Sequence, residues 1–195
     1  MKDVGSRAAA WLLPGAVKDE QRVTSAWDVV GTRPIEGVAL RDIRPVIKGN
    51  GSVIELFRRD WFDASLVDQV FQVTLQPGGL SAWHAHEHTT DRLIVSQGSI
   101  TLVLFDSRPD SPTYGLVNDL QLSALRPTLV TVPPQVWHGV KNTHAGQTLL
   151  VNLPDRAYCY ESPDHWRVPA DSPSIPYRFT PIDPARAADP FTPGR

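Results

Sequence analysis

The chain has 195 residues, 41% hydrophobic and 21% charged, which suits one domain with a full core plus extensions. A net charge of −2 argues against any broad pull toward nucleic acid or an anionic membrane, and no window reaches the roughly 20 apolar residues that span a bilayer. The single cysteine, Cys159, excludes an intrachain disulfide and fits a reducing, cytoplasmic setting.

Residues 1–34 read as an N-terminal extension. AAAWLL and the stretch Val23–Val30 are candidate short helices. The apolar run AAAWLLPGAV is too short, and too soon followed by Lys18, Asp19 and Glu20, for a signal peptide. From Ile35 the pattern changes to short apolar runs. GVALRDI, SVIELF, LVDQVFQVTL, RLIVSQG, SITLVLFD, LQLSAL, TLVTV, WHGVKN and TLLVNL all read as strands. Turn residues separate them at Gly49-Asn50-Gly51, Pro77-Gly78-Gly79, Gln97-Gly98-Ser99, Arg108-Pro109-Asp110 and Pro133-Pro134. Residues 35–180 are therefore expected to form one all-β domain, a double-sheet jelly-roll barrel. After Pro154 the chain is Pro-rich and is expected to wrap the barrel in extended form. Residues 181–195 read as a tail.

Two histidine clusters stand out. On a strand, His84 and His86 point to one face, Trp83 and Ala85 to the other. A hairpin would return Asp91 beside the two histidines. In the second cluster His138, Val140 and Asn142 share a face. If that face is the barrel interior, the clusters meet. His88 reads as a solvated turn residue, His144 and His165 as surface residues, and Trp83 and Trp137 as packing aromatics.

These segments resemble the two motifs of the cupins. The first runs Gly78, His84, His86, Asp91 (where cupins carry Glu) and Gly98. The second runs Pro133, Gln135 (where a Gly is expected), His138 and Asn142. The resemblance implies that His84, His86, Asp91 and His138 could hold one divalent transition metal. Three imidazoles and a carboxylate suit Fe, Mn, Co, Ni or Zn and leave positions for a substrate.

The span from about Ile35 to Phe179 resembles one cupin branch more closely, the dTDP-4-dehydrorhamnose 3,5-epimerases. The resemblance lies in Asp106-Ser107-Arg108-Pro109-Asp110-Ser111-Pro112-Thr113-Tyr114-Gly115, in Trp137-His138-Gly139-Val140, and in Gly51 with Glu55. Tyr160, Pro163 and Ala170-Asp171-Ser172-Pro173 extend it. It implies a homodimer that inverts a carbon beside the ketone of a nucleotide-linked sugar, with no metal. It casts His84 as the base and Asp171 as its orienting carboxylate, with Gln69, Arg92, Arg108 and Asn142 on the substrate. Arg108 can equally pair with Asp106 or Asp110 as a turn staple. The sequence departs from the family at Ser81 (an Arg there), at His86 (a Gln) and at Val151, where the acid tyrosine falls. Tyr158 or Tyr160 would have to replace that acid. A metal on His84 would occupy the lone pair that a base needs. Two alternatives therefore stand beside the epimerase: a metal-dependent dioxygenase, lyase or isomerase of small keto or hydroxy acids, and a non-catalytic sugar-binding cupin.

Overall fold

Turn residues cut the middle of the chain into short strands, and alternating apolar side chains set which face of each strand turns inward. A computed structural model describes residues 33–61 and 67–179, with Leu13, Pro14, Val17, Lys18, Gln21, Val23, Thr24 and Ser25. The candidate N-terminal helices and the tail at 181–195 lie outside the described residues. The chain divides into two units, Met1–Arg33 and Pro34–Arg195. In the first, the Gln21 side chain donates to the Val23 carbonyl.

The second unit carries β1 (Ala39–Asp42), β2 (Val46–Lys48), β3 (Gly51–Val53), β4 (Phe71–Leu75), β5 (Leu80–Ala85) and β6 (Asp91–Gln97). They are followed by β7 (Ser99–Asp106), β8 (Val117–Ser123), β9 (Thr128–Val132), β10 (Val136–Asn142), β11 (Thr148–Asn152) and β12 (Trp166–Arg167). One sheet has the order β1-β9-β6-β11-β4, the other β12-β5-β10-β7-β8, and β2 and β3 form a separate hairpin. All pairings are antiparallel. This is the all-β, double-sheet cupin barrel that the strand pattern predicts. Among the described residues the only helical element is a 3-10 turn at Arg59–Trp61, and no helix is long and apolar enough to cross a membrane.

The main core lies between the sheets. Leu93, Val95, Ile100, Leu102, Leu104, Val130, Val132 and Leu150 meet there, and each buried aliphatic side chain contributes about 1.5–3 kcal/mol. The alternate residues cover the outer faces. Ile94 and Leu129 join Val151 on the first sheet; Trp83, Val103 and Phe105 join Ile175 on the second. Gly98 makes the β6–β7 turn with φ +80°, and a Cβ there would come within 2.5 Å of Thr148 Oγ1. Two strand expectations shrink. SVIELF contributes only to β3, and LVDQVFQVTL becomes regular only from Phe71. The Pro-rich segment does run extended, and it adds β12 to the edge of β5.

Candidate functional site

Strand alternation opens one end of the barrel into a cavity of about 570 Å³, a size suited to a small organic ligand. Phe71 and Val73 of β4, Asp91 and Leu93 of β6, His138 and Val140 of β10, and Leu150 and Asn152 of β11 face it. On β5, Ser81 and His84 both face it, although three residues apart. An irregularity against β10 makes this possible: His138 pairs with His84 but Val140 with Ser81, so β5 carries one extra residue.

The two histidine clusters meet as the sequence predicts. His84 lies opposite His138, with ring centroids 4.1 Å apart. His86 sits just past the end of β5. Its carbonyl accepts the Gln135 N–H at 2.6 Å. Gln135 has φ 65°, the left-handed conformation that a glycine takes without strain and that explains why the motif expects one. His86 Nε2 and His138 Nε2 lie 3.2 Å and 3.1 Å from the same oxygen, Asp91 Oδ2. These are close approaches rather than aligned hydrogen bonds, since His138 Nε2 is buried with no hydrogen-bond partner. The other Asp91 oxygen accepts from Asn152 Nδ2 at 2.8 Å. Both imidazoles spend Nδ1 on a carbonyl: His86 on Asp164 at 2.5 Å, His138 on Val136 at 3.1 Å. A carbonyl only accepts, so each Nδ1 carries the proton and each Nε2 presents a lone pair.

Charge follows from this packing. Burial opposes ionisation of Asp91, but His138 and His86 outweigh it and hold the carboxyl well below the usual range. Burial pulls His86 down, and Asp91 with the Asp164 carbonyl reverses this to a net rise. His84 is pushed down to about 2, first by burial and then by the neighbouring imidazoles His138 and His165, so it is uncharged at neutral pH.

The metal set expected from the motifs is only partly assembled. His86, Asp91 and His138 bring one ligand atom each within 4.8 Å of one another, and His84 is not in that group. The donor set fits a divalent first-row cation: two imidazoles in the right tautomer, one carboxylate, and partners behind each.

Other expected site residues lie elsewhere, for local reasons. Arg92 follows Asp91 on β6 and must face away from the cavity; it is 1% exposed and reaches the Leu153 carbonyl. Arg108 is the turn staple. Its guanidinium forks onto Asp106 at 2.8 and 2.9 Å and bonds the Glu36 carbonyl. Asn142 ties a loop, donating to the carbonyls of Leu75, Gln76 and Gly146. Val151 points into the outer cluster, so the acid's expected position does not face the cavity. Asp171 is exposed and hydrogen-bonds none of the described residues through a bond to His84, whose Nδ1 is buried without a partner. The neighbouring Ala170 carbonyl accepts from Trp83 Nε1. That contact holds the segment against the Trp83 face of β5, opposite the His84 face. Gln69 does line the cavity, where its Oε1 accepts the Tyr158 N–H. Tyr158 lines it too, whereas Tyr160 is 81% exposed and does not.

Sequence reasoning missed Asp164 and His165. The Asp164 carboxylate accepts from the backbone of Glu87, His88 and Thr89 and from the Thr89 hydroxyl. This docks the Pro-rich strap on the β5–β6 turn and delivers His165 to the cavity, 5.3 Å from His84 and 5.0 Å from His86 between ring centroids. His165 Nε2 is buried without a partner. Read as a surface residue, it is a wall of the site. His88, read as a solvated turn residue, is exposed but also borders the cavity.

A family model described as dTDP-4-dehydrorhamnose 3,5-epimerase matches residues 32–184. The chain belongs to that family. The probable low-salt glycan biosynthesis epimerase Agl13 of Haloferax volcanii is 33% identical over 139 residues, covering 70% of this chain and 89% of that protein. The crystal structure of a dTDP sugar isomerase from Desulfovibrio desulfuricans G20 superposes with a TM-score of 0.69 at 30% identity, covering 73% of this chain and 90% of the other. ChmJ, a 3'-monoepimerase from Streptomyces bikiniensis crystallised with dTDP-quinovose, shares the fold with a TM-score of 0.67 at 22% identity, covering 80% and 83%. These relatives are named as epimerases or isomerases; none of them is named as a dioxygenase, a lyase or a binding protein.

Proposed function

We propose that this epimerase-family chain inverts a ring carbon beside the ketone of a nucleotide-linked sugar, in the cavity between its two sheets. The observation that carries the reading is the convergence, in one cavity, of His84 and the other histidines of both motifs within a chain of this family. His84 takes the proton from the carbon next to the carbonyl. The C–H electron pair moves toward the carbonyl oxygen and leaves an enolate. Return of a proton to the opposite face completes the inversion. With Val151 turned outward, Tyr158 is the tyrosine in reach of the cavity, and we assign it the returning proton. Arg156 and Arg167 border the cavity and carry the charge that a nucleotide diphosphate requires; Arg92 and Arg108 are committed to the fold. Gln69 holds the Tyr158 backbone and with it the cavity wall.

We also infer a cytoplasmic homodimer. The lone cysteine suits a reducing compartment, and the open edge of β4 beside exposed Val70 and Phe71 offers strands to a second copy. Light scattering giving the mass of one chain would refute the dimer.

Proton NMR of a nucleotide-linked 4-keto sugar incubated with the protein tests the activity. New signals for an inverted ring carbon are expected, with Tyr158→Phe slowing their appearance at least tenfold. An unchanged spectrum with wild-type protein would overturn the reading. Unchanged turnover in Tyr158→Phe would remove Tyr158 from it.

A further inference from the structure

The triad and His84 share a cavity but not a geometry. His86 Nε2 and His138 Nε2 face one oxygen, Asp91 Oδ2, at 3.2 and 3.1 Å. Each imidazole has spent its proton on a backbone carbonyl, so three electron-pair donors converge on one point. A single proton can bridge only two of them. A cation bound at about 2.0–2.2 Å places adjacent ligands roughly 3.0–3.4 Å apart for octahedral to tetrahedral geometry, and both observed separations fall in that range. The shell behind the donors is complete: Asp164 and Val136 carbonyls fix the tautomers, and Asn152 holds the far oxygen of Asp91. His84 lies outside this convergence. It packs its ring against His138 at 4.1 Å and 75°, and its Nδ1 touches no hydrogen-bonding group.

We propose that His86, Asp91 and His138 hold one divalent first-row transition cation, and that His84 stays outside the coordination set with its lone pair available to substrate. The sequence sets a metal on His84 against a base at His84. In the folded chain the two roles fall to different residues, because His84 is held within β5 while His86 is swung toward Asp91 beyond its end. Two imidazoles and one carboxylate favour Co, Ni, Zn, Fe or Mn over Mg or Ca. The chemistry that a cation supplies there is positive charge beside an oxygen gaining negative charge. That consequence rests on the epimerase reading; binding itself does not.

The test counts metal, not turnover. Full-length protein without a histidine tag is stripped with chelator and titrated with Co²⁺, followed by plasma mass spectrometry and the visible Co²⁺ spectrum. About one Co²⁺ per chain is expected for wild type and for His84→Ala, and less than a tenth of that for Asp91→Asn and His138→Ala. Circular dichroism identifies a variant that has not folded, and Asp91→Asn, which keeps an acceptor for Asn152, guards against that outcome. No uptake by wild type, or loss of Co²⁺ from His84→Ala as complete as from His138→Ala, would overturn the proposal. A loaded wild type that inverts no sugar would refute the epimerase reading and leave the metal assignment standing.

Discussion

Asp91 and Asp106 are both almost fully buried, 3% and 0% exposed, and both carboxyls are held below the usual range, yet their surroundings differ. Asp106 is saturated. It accepts from Arg108 Nε, Nη2 and backbone N–H and from the hydroxyls of Ser111 and Thr113. That corner fastens the β7–β8 loop to the strand-free segment at Ile35 and Glu36. Asp91 has one aligned donor, Asn152, and otherwise faces imidazole nitrogens. A buried acid whose lone pairs are filled by its own loop holds the fold. A buried acid whose lone pairs point at other lone pairs is left waiting for something the chain does not supply.

The sharpest way to break this comparison is to cut each region and read both activity and stability. At the cavity, His84→Ala should lower inversion about 10²–10⁴-fold with a melting temperature within a few degrees of wild type; retained turnover in a steady-state assay would remove His84 from the chemistry. At the saturated corner, Asp106→Ala strands the Arg108 guanidinium and two hydroxyls. It should cost about 3 kcal/mol in urea denaturation, and a loss below about 1 kcal/mol would show that the network is ornamental. The pH dependence follows from the same corner. A carboxyl with a lowered folded pKa contributes stability above its ordinary value of 3.8 and loses it as pH falls through the folded value. Stability in the Asp106→Asn variant should therefore fall less steeply than in wild type below about pH 4; parallel melting curves across that range would contradict the assignment. The smallest effect concerns the left-handed turn. Gln135→Gly should relieve strain and shift stability by no more than about 1 kcal/mol, with turnover unchanged; a large loss would mean that the Gln135 side chain, not its backbone bond to His86, matters.

How much of this could be read from sequence depended on distance along the chain. Period-two alternation and glycine and proline punctuation located the strands, and the same alternation put His84, Asp91 and His138 in one cavity, since each lies on a strand whose neighbours are apolar. Alternation also carried information that the family resemblance obscured: if Asp91 faces in, Arg92 faces out, and the fork between Arg108 and Asp106 spans only two residues. Other features were beyond reach. Asp164 and His165 act on residues more than 70 positions earlier, through a strap with no strand pattern, and only the fold shows that His165 enters the cavity. The separation of His84 from the His86, Asp91 and His138 convergence turns on where β5 ends and on its extra residue, details finer than spacing can fix.

The central claim, proton transfer at a carbon beside a ketone, is tested most directly by incubating the protein with a nucleotide-linked 4-keto sugar in deuterium oxide and measuring deuterium at the ring carbons by mass spectrometry. The account predicts deuterium at a carbon adjacent to the carbonyl with wild-type protein and none above background with His84→Ala. Recovery of fully protonated sugar from wild type, with or without added Co²⁺, would contradict it.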